Sequence, residues 1–143
     1  MRSLRKLAVM TAILLAPGAL ADPGVLADVN AQRSEAGRAP LVYSERLERV
    51  AEGHARDIAR AGFFSHIGSD GSTLAERARD KGYGFCFIAE NIAKGQRSGA
   101  EAMAGWTASD GHRRNMLDRR ATEMGLARAD GALWVMVLGR PGC

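Results

Sequence analysis

The stretch Trp106-Thr107-Ala108-Ser109-Asp110-Gly111-His112-Arg113-Arg114-Asn115-Met116-Leu117 joins the end of one helix, a turn and a further segment. Upstream of it, Ser98 and Glu101 stand at capping-box spacing. A helix is therefore predicted to open there and to run through Met103 and Trp106 to about Ala108. Ala102 and Met103 precede Trp106 by four and three positions, so the three share a side, and Trp106 reads as a core residue rather than a ligand contact. Asp110-Gly111 reads as a turn, and His112 to Leu117 as one further helical turn. Beyond it, Met124 to Ala129 and Leu133 to Leu138 are strand candidates, with Ala129-Asp130-Gly131-Ala132 as the hairpin turn between them.

Moving back towards the N-terminus, Phe85 to Ala93 is rich in apolar residues and is predicted to enter a buried strand. Thr73 and Glu76 make another capping box, opening a short helix that runs to about Lys81. Ile67 to Gly71 is a polar, glycine-rich loop. Before it lies the clearest helix. Ser44 is its N-cap, Gly62 its stop, and Leu47, Val50, Ala51, His54, Ala55, Ile58 and Ala59 its apolar stripe. On that stripe His54 reads as a packed, hydrogen-bonded core histidine rather than a ligand. Val25 to Ala36 is a first helix ended by Gly37, with Leu26, Val29, Ala36 and the stem of Arg33 on one side, and Pro40 forces an extended passage after it. Helices first and strands last, around a small and mostly antiparallel sheet, make an α+β domain.

The chain has 143 residues, enough for one domain. Met1 to Ala21 reads as a secretory signal peptide: Arg2, Arg5 and Lys6 precede the apolar Leu7 to Leu15, and Ala19-Leu20-Ala21 fits the cleavage pattern. The apolar run is shorter than the roughly 20 residues of a membrane span, and no later segment is apolar enough to be an anchor. The domain boundaries are thus 1–21 for the signal and 22–143 for the mature domain, which is expected to be secreted or periplasmic and monomeric. Export changes the charge argument. The whole chain carries +4, but without the signal 17 basic residues face 16 acidic ones, interspersed along helices. A nucleic-acid surface is not expected from that pattern. Cys86 and Cys143 are the two cysteines of an exported chain, so a disulfide between them is expected, two free thiols being the other possibility.

No His-Glu-x-x-His, Gly-x-Ser-x-Gly, Cys-x-x-Cys, P-loop or dinucleotide fingerprint occurs. Three groups near turns remain: His66, the Ala89-Glu90-Asn91 segment and Gly111-His112-Arg113. Two imidazoles and a carboxylate suit a divalent metal such as zinc, and they also suit acid–base work. Spacing alone leaves open that they are surface residues at helix ends.

Four segments resemble those of the CAP superfamily, the cysteine-rich secretory, antigen 5 and pathogenesis-related 1 proteins with their SCP domain. They are Val29 to Arg33 followed by Pro40-Leu41; Phe64-Ser65-His66; Glu90 to Ala93; and Trp106 through Gly111-His112-Arg113 to Met124-Gly125-Leu126. The run from Trp106 to Leu117 resembles the short bacterial branch. The resemblance implies a three-layer α–β–α sandwich with a cleft lined by two histidines and two acidic residues, often holding a divalent metal. His66, Glu90 and His112 match three of those positions. Ser109 stands at the fourth, where it supplies no carboxylate, and Asp110 or Glu123 is the candidate substitute. The loop between Trp106 and His112 is too short to carry over the sterol-contacting loop of larger relatives.

Three functions compete on this reading. The first is a non-catalytic exported binding module with a zinc ion, a small ligand or a lipid in the cleft. The second is a metal-assisted, protease-like hydrolase with Glu90 or a histidine as base. The third is an interaction domain for a cell-envelope component. No nucleophile–base pair is legible, and Ser109 weakens the acidic set, so binding or interaction is favoured over catalysis.

Overall fold

Asp22 opens the first helix, α1 (Pro23–Glu35): its carboxylate accepts from the Gly24 amide at 3.0 Å. Pro23 fills a position where a missing N–H costs nothing. In this computed structural model, which describes residues 22–143, α1 therefore starts two residues before the expected Val25, and Ala36 is its C-cap rather than part of the apolar side. The signal segment expected over 1–21 lies outside the described residues. The extended passage after Pro40 forms β1 (Val42–Tyr43), a short strand that periodicity did not reveal.

α2 (Glu45–Ala61) runs between the two residues read as its limits. The Ser44 hydroxyl accepts from the Leu47 amide, and Gly62 ends the helix in the left-handed region at φ 72°, where glycine has no Cβ to clash. Leu47, Val50, Ala51, His54, Ala55 and Ile58 are buried; Ala59, at the edge of the stripe, is exposed. α3 (Leu74–Asp80) opens on the complete Thr73–Glu76 capping box. β2 (Phe85–Lys94) follows, then α4 (Gly99–Ala108), α5 (Asp110–Met116), β3 (Glu123–Ala129) and β4 (Leu133–Pro141). Two local expectations change. Ser98 caps α4, but Glu101 turns outward to the amide and guanidinium of Arg97 instead of closing the box. Asp110-Gly111 is not a turn but the first turn of α5, because the Arg113 amide already bonds to the Ser109 carbonyl at 2.8 Å.

The sheet has the order β1-β3-β4-β2; β1 pairs parallel with β3 and the other pairs are antiparallel. Side chains alternate across it. Trp134, Met136 and Leu138 of β4 meet α1, α4 and α5 through Val25, Val29, Met103, Trp106 and Met116. Leu133, Val135 and Val137 meet α2 and α3 through Leu47, Val50, Ile58 and Ala78. This is the expected α–β–α sandwich. Gly125 lets α2 lie directly on β3, since a Cβ there would strike the backbone of Leu47 and Glu48. Trp106 is 1% exposed and donates Nε1–H to the Ile92 carbonyl at 3.2 Å. Cys86 and Cys143 are disulfide-bonded, with Cα atoms 4.9 Å apart, tying the final residue to the start of β2. β2 was expected to be buried; it is an edge strand, buried only at Glu90 to Ile92. That edge is where the polar residues gather.

Candidate functional site

Glu90 and Asn91 are consecutive on β2, so their side chains leave on opposite faces of the sheet. Glu90 turns towards α2 and α3, where His54 and Arg77 meet it. Asn91 turns towards α5: its Nδ2 donates to the His112 carbonyl at 3.1 Å. Asn115 donates in turn to the Asn91 side chain at 2.9 Å and to the Glu90 carbonyl at 3.4 Å. Two asparagines thus pin α5, and with it His112, against the edge strand.

The Glu90 side chain is only 2% exposed, yet both its oxygens are engaged. Oε1 accepts from His66 Nδ1 at 2.8 Å, and Oε2 accepts from Arg77 Nη2 at 3.0 Å. Arg77 also donates Nη1 to the His66 carbonyl and to the Ser72 carbonyl, both at 3.0 Å. One guanidinium therefore fixes the carboxylate and both ends of the 66–72 loop. The sequence reading missed Arg77. Its signal was its place three residues after Leu74 and beside buried Ala78, on the inner face of α3, where an arginine calls for a buried partner.

His54 is fully buried, as its stripe position implied. Its Nε2 donates to the Ser65 carbonyl at 2.8 Å, while Glu90 Oε1 stands 3.7 Å away and Nδ1 has no partner. Burial, above all, pushes the His54 pKa down, with Glu90 pulling the other way. Burial thus favours the neutral ring, and its bond to the Ser65 carbonyl holds the backbone just before His66. His66 itself is half exposed, at 54%. Its hydrogen bond to Glu90 raises its pKa against the opposing effect of burial. His112 is pushed the other way, by burial first and then by the charge of His66 nearby. His54 and His66 both approach this one buried carboxylate, and His112 stands near enough to His66 to feel its charge.

The two remaining acidic candidates are paired elsewhere. Ser109 is the N-cap residue of α5, without a side-chain bond to that helix. Asp110 is exposed and paired with Arg113 at 2.8 Å. Glu123 accepts from the Tyr83 hydroxyl at 2.9 Å, and that hydroxyl is held well above its ordinary pKa by burial and then by Glu123. Among the described residues no three His, Cys, Asp or Glu side chains are grouped as ligands for one metal ion. Two imidazoles do fit part of such a site. His66 commits Nδ1 to a carboxylate, which leaves Nε2 as its ligating atom, and His112 gives the network its carbonyl, not its ring. Glu90, with both oxygens engaged, fits the role of orienting a histidine better than that of a third ligand.

A sequence profile of the cysteine-rich secretory protein family, CAP, matches residues 26–138. The uncharacterised protein YkwD of Bacillus subtilis is 30% identical over 106 residues, which takes in 73% of this chain and 41% of YkwD. Among solved structures, an extracellular protein containing a SCP domain from Bacillus anthracis superposes with a TM-score of 0.79 at 30% identity, over 82% of this chain and 39% of that one. An outer surface protein of Borrelia burgdorferi shares the fold, with a TM-score of 0.76 at 18% identity over 82% of this chain and 90% of its own. The chain spans less than half the length of YkwD and of the Bacillus anthracis protein.

Proposed function

Because the chain belongs to the cysteine-rich secretory protein (CAP) family, we propose that it is an exported binding module whose cleft at the β2 edge holds a divalent transition metal, zinc above all, on His66 and His112. The observation that carries this reading is the His66–Glu90–Arg77 chain of contacts. A buried carboxylate that fixes one imidazole nitrogen orients the other and raises its basicity, as the outer partners of metal-binding histidines do. Export is supported by the disulfide, by the signal-like segment at 1–21, and by relatives described as extracellular or outer-surface proteins. A metal bound there would offer open coordination positions to an oxygen or nitrogen ligand. Binding is favoured over hydrolysis because Glu90, the carboxylate bonded to His66, is locked by Arg77 and not available as a base.

Calorimetric zinc titration of chelator-treated protein tests this. Binding is expected at about pH 7.5 and is expected to weaken at about pH 5.5, where protons compete for imidazole. His66→Ala and His112→Ala should each abolish it, and Glu90→Gln should weaken it about 10- to 100-fold. Zinc binding equal in wild type and both histidine variants, or none at either pH, would overturn the reading.

A further inference from the structure

Five arginines line an open hollow of about 520 Å3 that includes none of the three histidines. Arg113 and Arg114 come from α5, Arg119 and Arg120 from the segment after it, and Arg38 from the segment after α1; the one acid on the wall is Asp118. Residues 22–143 are almost neutral in total, with 17 basic against 16 acidic. Four of the five arginines fall within the eight residues 113–120, the fold adds Arg38, and the near-neutral total conceals this local concentration.

The wall is organised from behind. Arg38 donates Nε to the Leu117 carbonyl at 3.0 Å and Nη1 to the Ala36 carbonyl at 2.9 Å. Arg120 is clamped on both oxygens of Asp118, at 3.0 and 2.8 Å, and rests over the Phe87 ring at 4.5 Å. Arg113 is paired with Asp110. Arg114 and Arg119 are exposed and take part in no ion pair or side-chain hydrogen bond among the described residues. Beneath them Arg33 is buried, its guanidinium spent on the carbonyls of Ala39, Met116, Asp118 and Ala121. Its pKa is lowered by burial first and next by Arg38, with Asp118 opposing.

We propose that this hollow is a second binding site, for a compact phosphate-bearing anion: a free oligophosphate or the headgroup of an anionic phospholipid. All five cations are guanidinium groups, whose planar fork matches two phosphate oxygens at once, where an ammonium offers a point charge. Held guanidiniums lose little freedom when they bind, and the two unpaired ones have donors to give. The volume lies within the roughly 300–1,000 Å3 of small-ligand sites. No aromatic ring lines the hollow, so it lacks the stacking platform that single-stranded nucleic acid uses.

The test uses inorganic tripolyphosphate and, separately, vesicles of phosphatidylglycerol with phosphatidylcholine against pure phosphatidylcholine. The protein should bind tripolyphosphate, with no vesicle binding if the source is a free phosphate and with selective sedimentation on the phosphatidylglycerol vesicles if it is a lipid. Binding should weaken as salt rises from about 50 to about 200 mM. The double variant Arg114→Ala/Arg119→Ala should melt as wild type does and bind at least about tenfold more weakly. Failure of both probes to bind at low salt, or unchanged binding by the double variant, overturns the proposal. So does tighter binding of a short single-stranded oligonucleotide than of either phosphate probe. Zinc binding by the double variant should equal that of wild type, which separates this site from the histidine cleft.

Discussion

Nη2 of Arg77 and Oε2 of Glu90 lie 3.0 Å apart, in side chains that are 11% and 2% exposed. The carboxylate beneath His66 is thus already paired with a nearly buried cation. Removing one partner of such a pair leaves a buried charge without compensation. Arg77→Met should cost about 3–5 kcal/mol in denaturant titration, and it should loosen the 66–72 loop, whose ends Arg77 also holds. Arg77→Met combined with Glu90→Met should cost less than the two single changes added together. A loss below about 1 kcal/mol for Arg77→Met would mean that water satisfies Glu90.

The three histidines predict an acid-sensitive fold. His54 and His112 have folded pKa values below the unfolded one, near 6.5. Their contributions are present above that pH and are lost as pH falls through the folded values. His66 is raised, so its contribution is present below about 6.5 and is lost as pH rises through its folded value. Being half exposed, it is the more screened. Stability should therefore fall on acidification below about pH 6.5, and His54→Gln should flatten that limb. NMR titration should show His66 losing its proton at the highest pH of the three. If His54→Gln leaves the acid limb unchanged, the assignment to His54 is wrong.

The Cys86–Cys143 bond closes 57 sequence steps. By the chain-entropy argument its loss costs up to roughly 4 kcal/mol. Replacing both cysteines by serine should lower the melting temperature while keeping the far-ultraviolet dichroism spectrum, because β4 builds the core on both faces without the bond. Loss of secondary structure at room temperature would show that the core does not suffice.

Trp106 fills the space between α4 and the sheet and satisfies the Ile92 carbonyl. Trp106→Ala should cost about 3–5 kcal/mol. A much smaller loss would mean that the site collapses around the alanine.

Helix limits were legible at Ser44, Gly62 and Thr73, and the core role of Trp106 was legible too. Each rests on contacts within a turn or two of the residue. The start of α5 was misread because Asp110-Gly111 is a good turn pair in isolation, and only the Ser109 carbonyl, placed by α4, makes it helical. The short β1 escaped because two residues have no periodicity; β3 beside them makes the strand.

By itself, then, the sequence determined most of the local elements, made a bond between its two cysteines the expectation and, through four family-like segments, pointed to the sandwich in which they are arranged. The tertiary structure alone decided that Arg77 pairs with Glu90, that Glu90 faces one layer while Asn91 pins the other, and that Arg38 joins the four arginines of residues 113–120 at one hollow. Caps and amphipathic stripes are set by neighbours along the chain. The partner of a buried charge is set by which elements stack on which face of the sheet, and no local pattern encodes that.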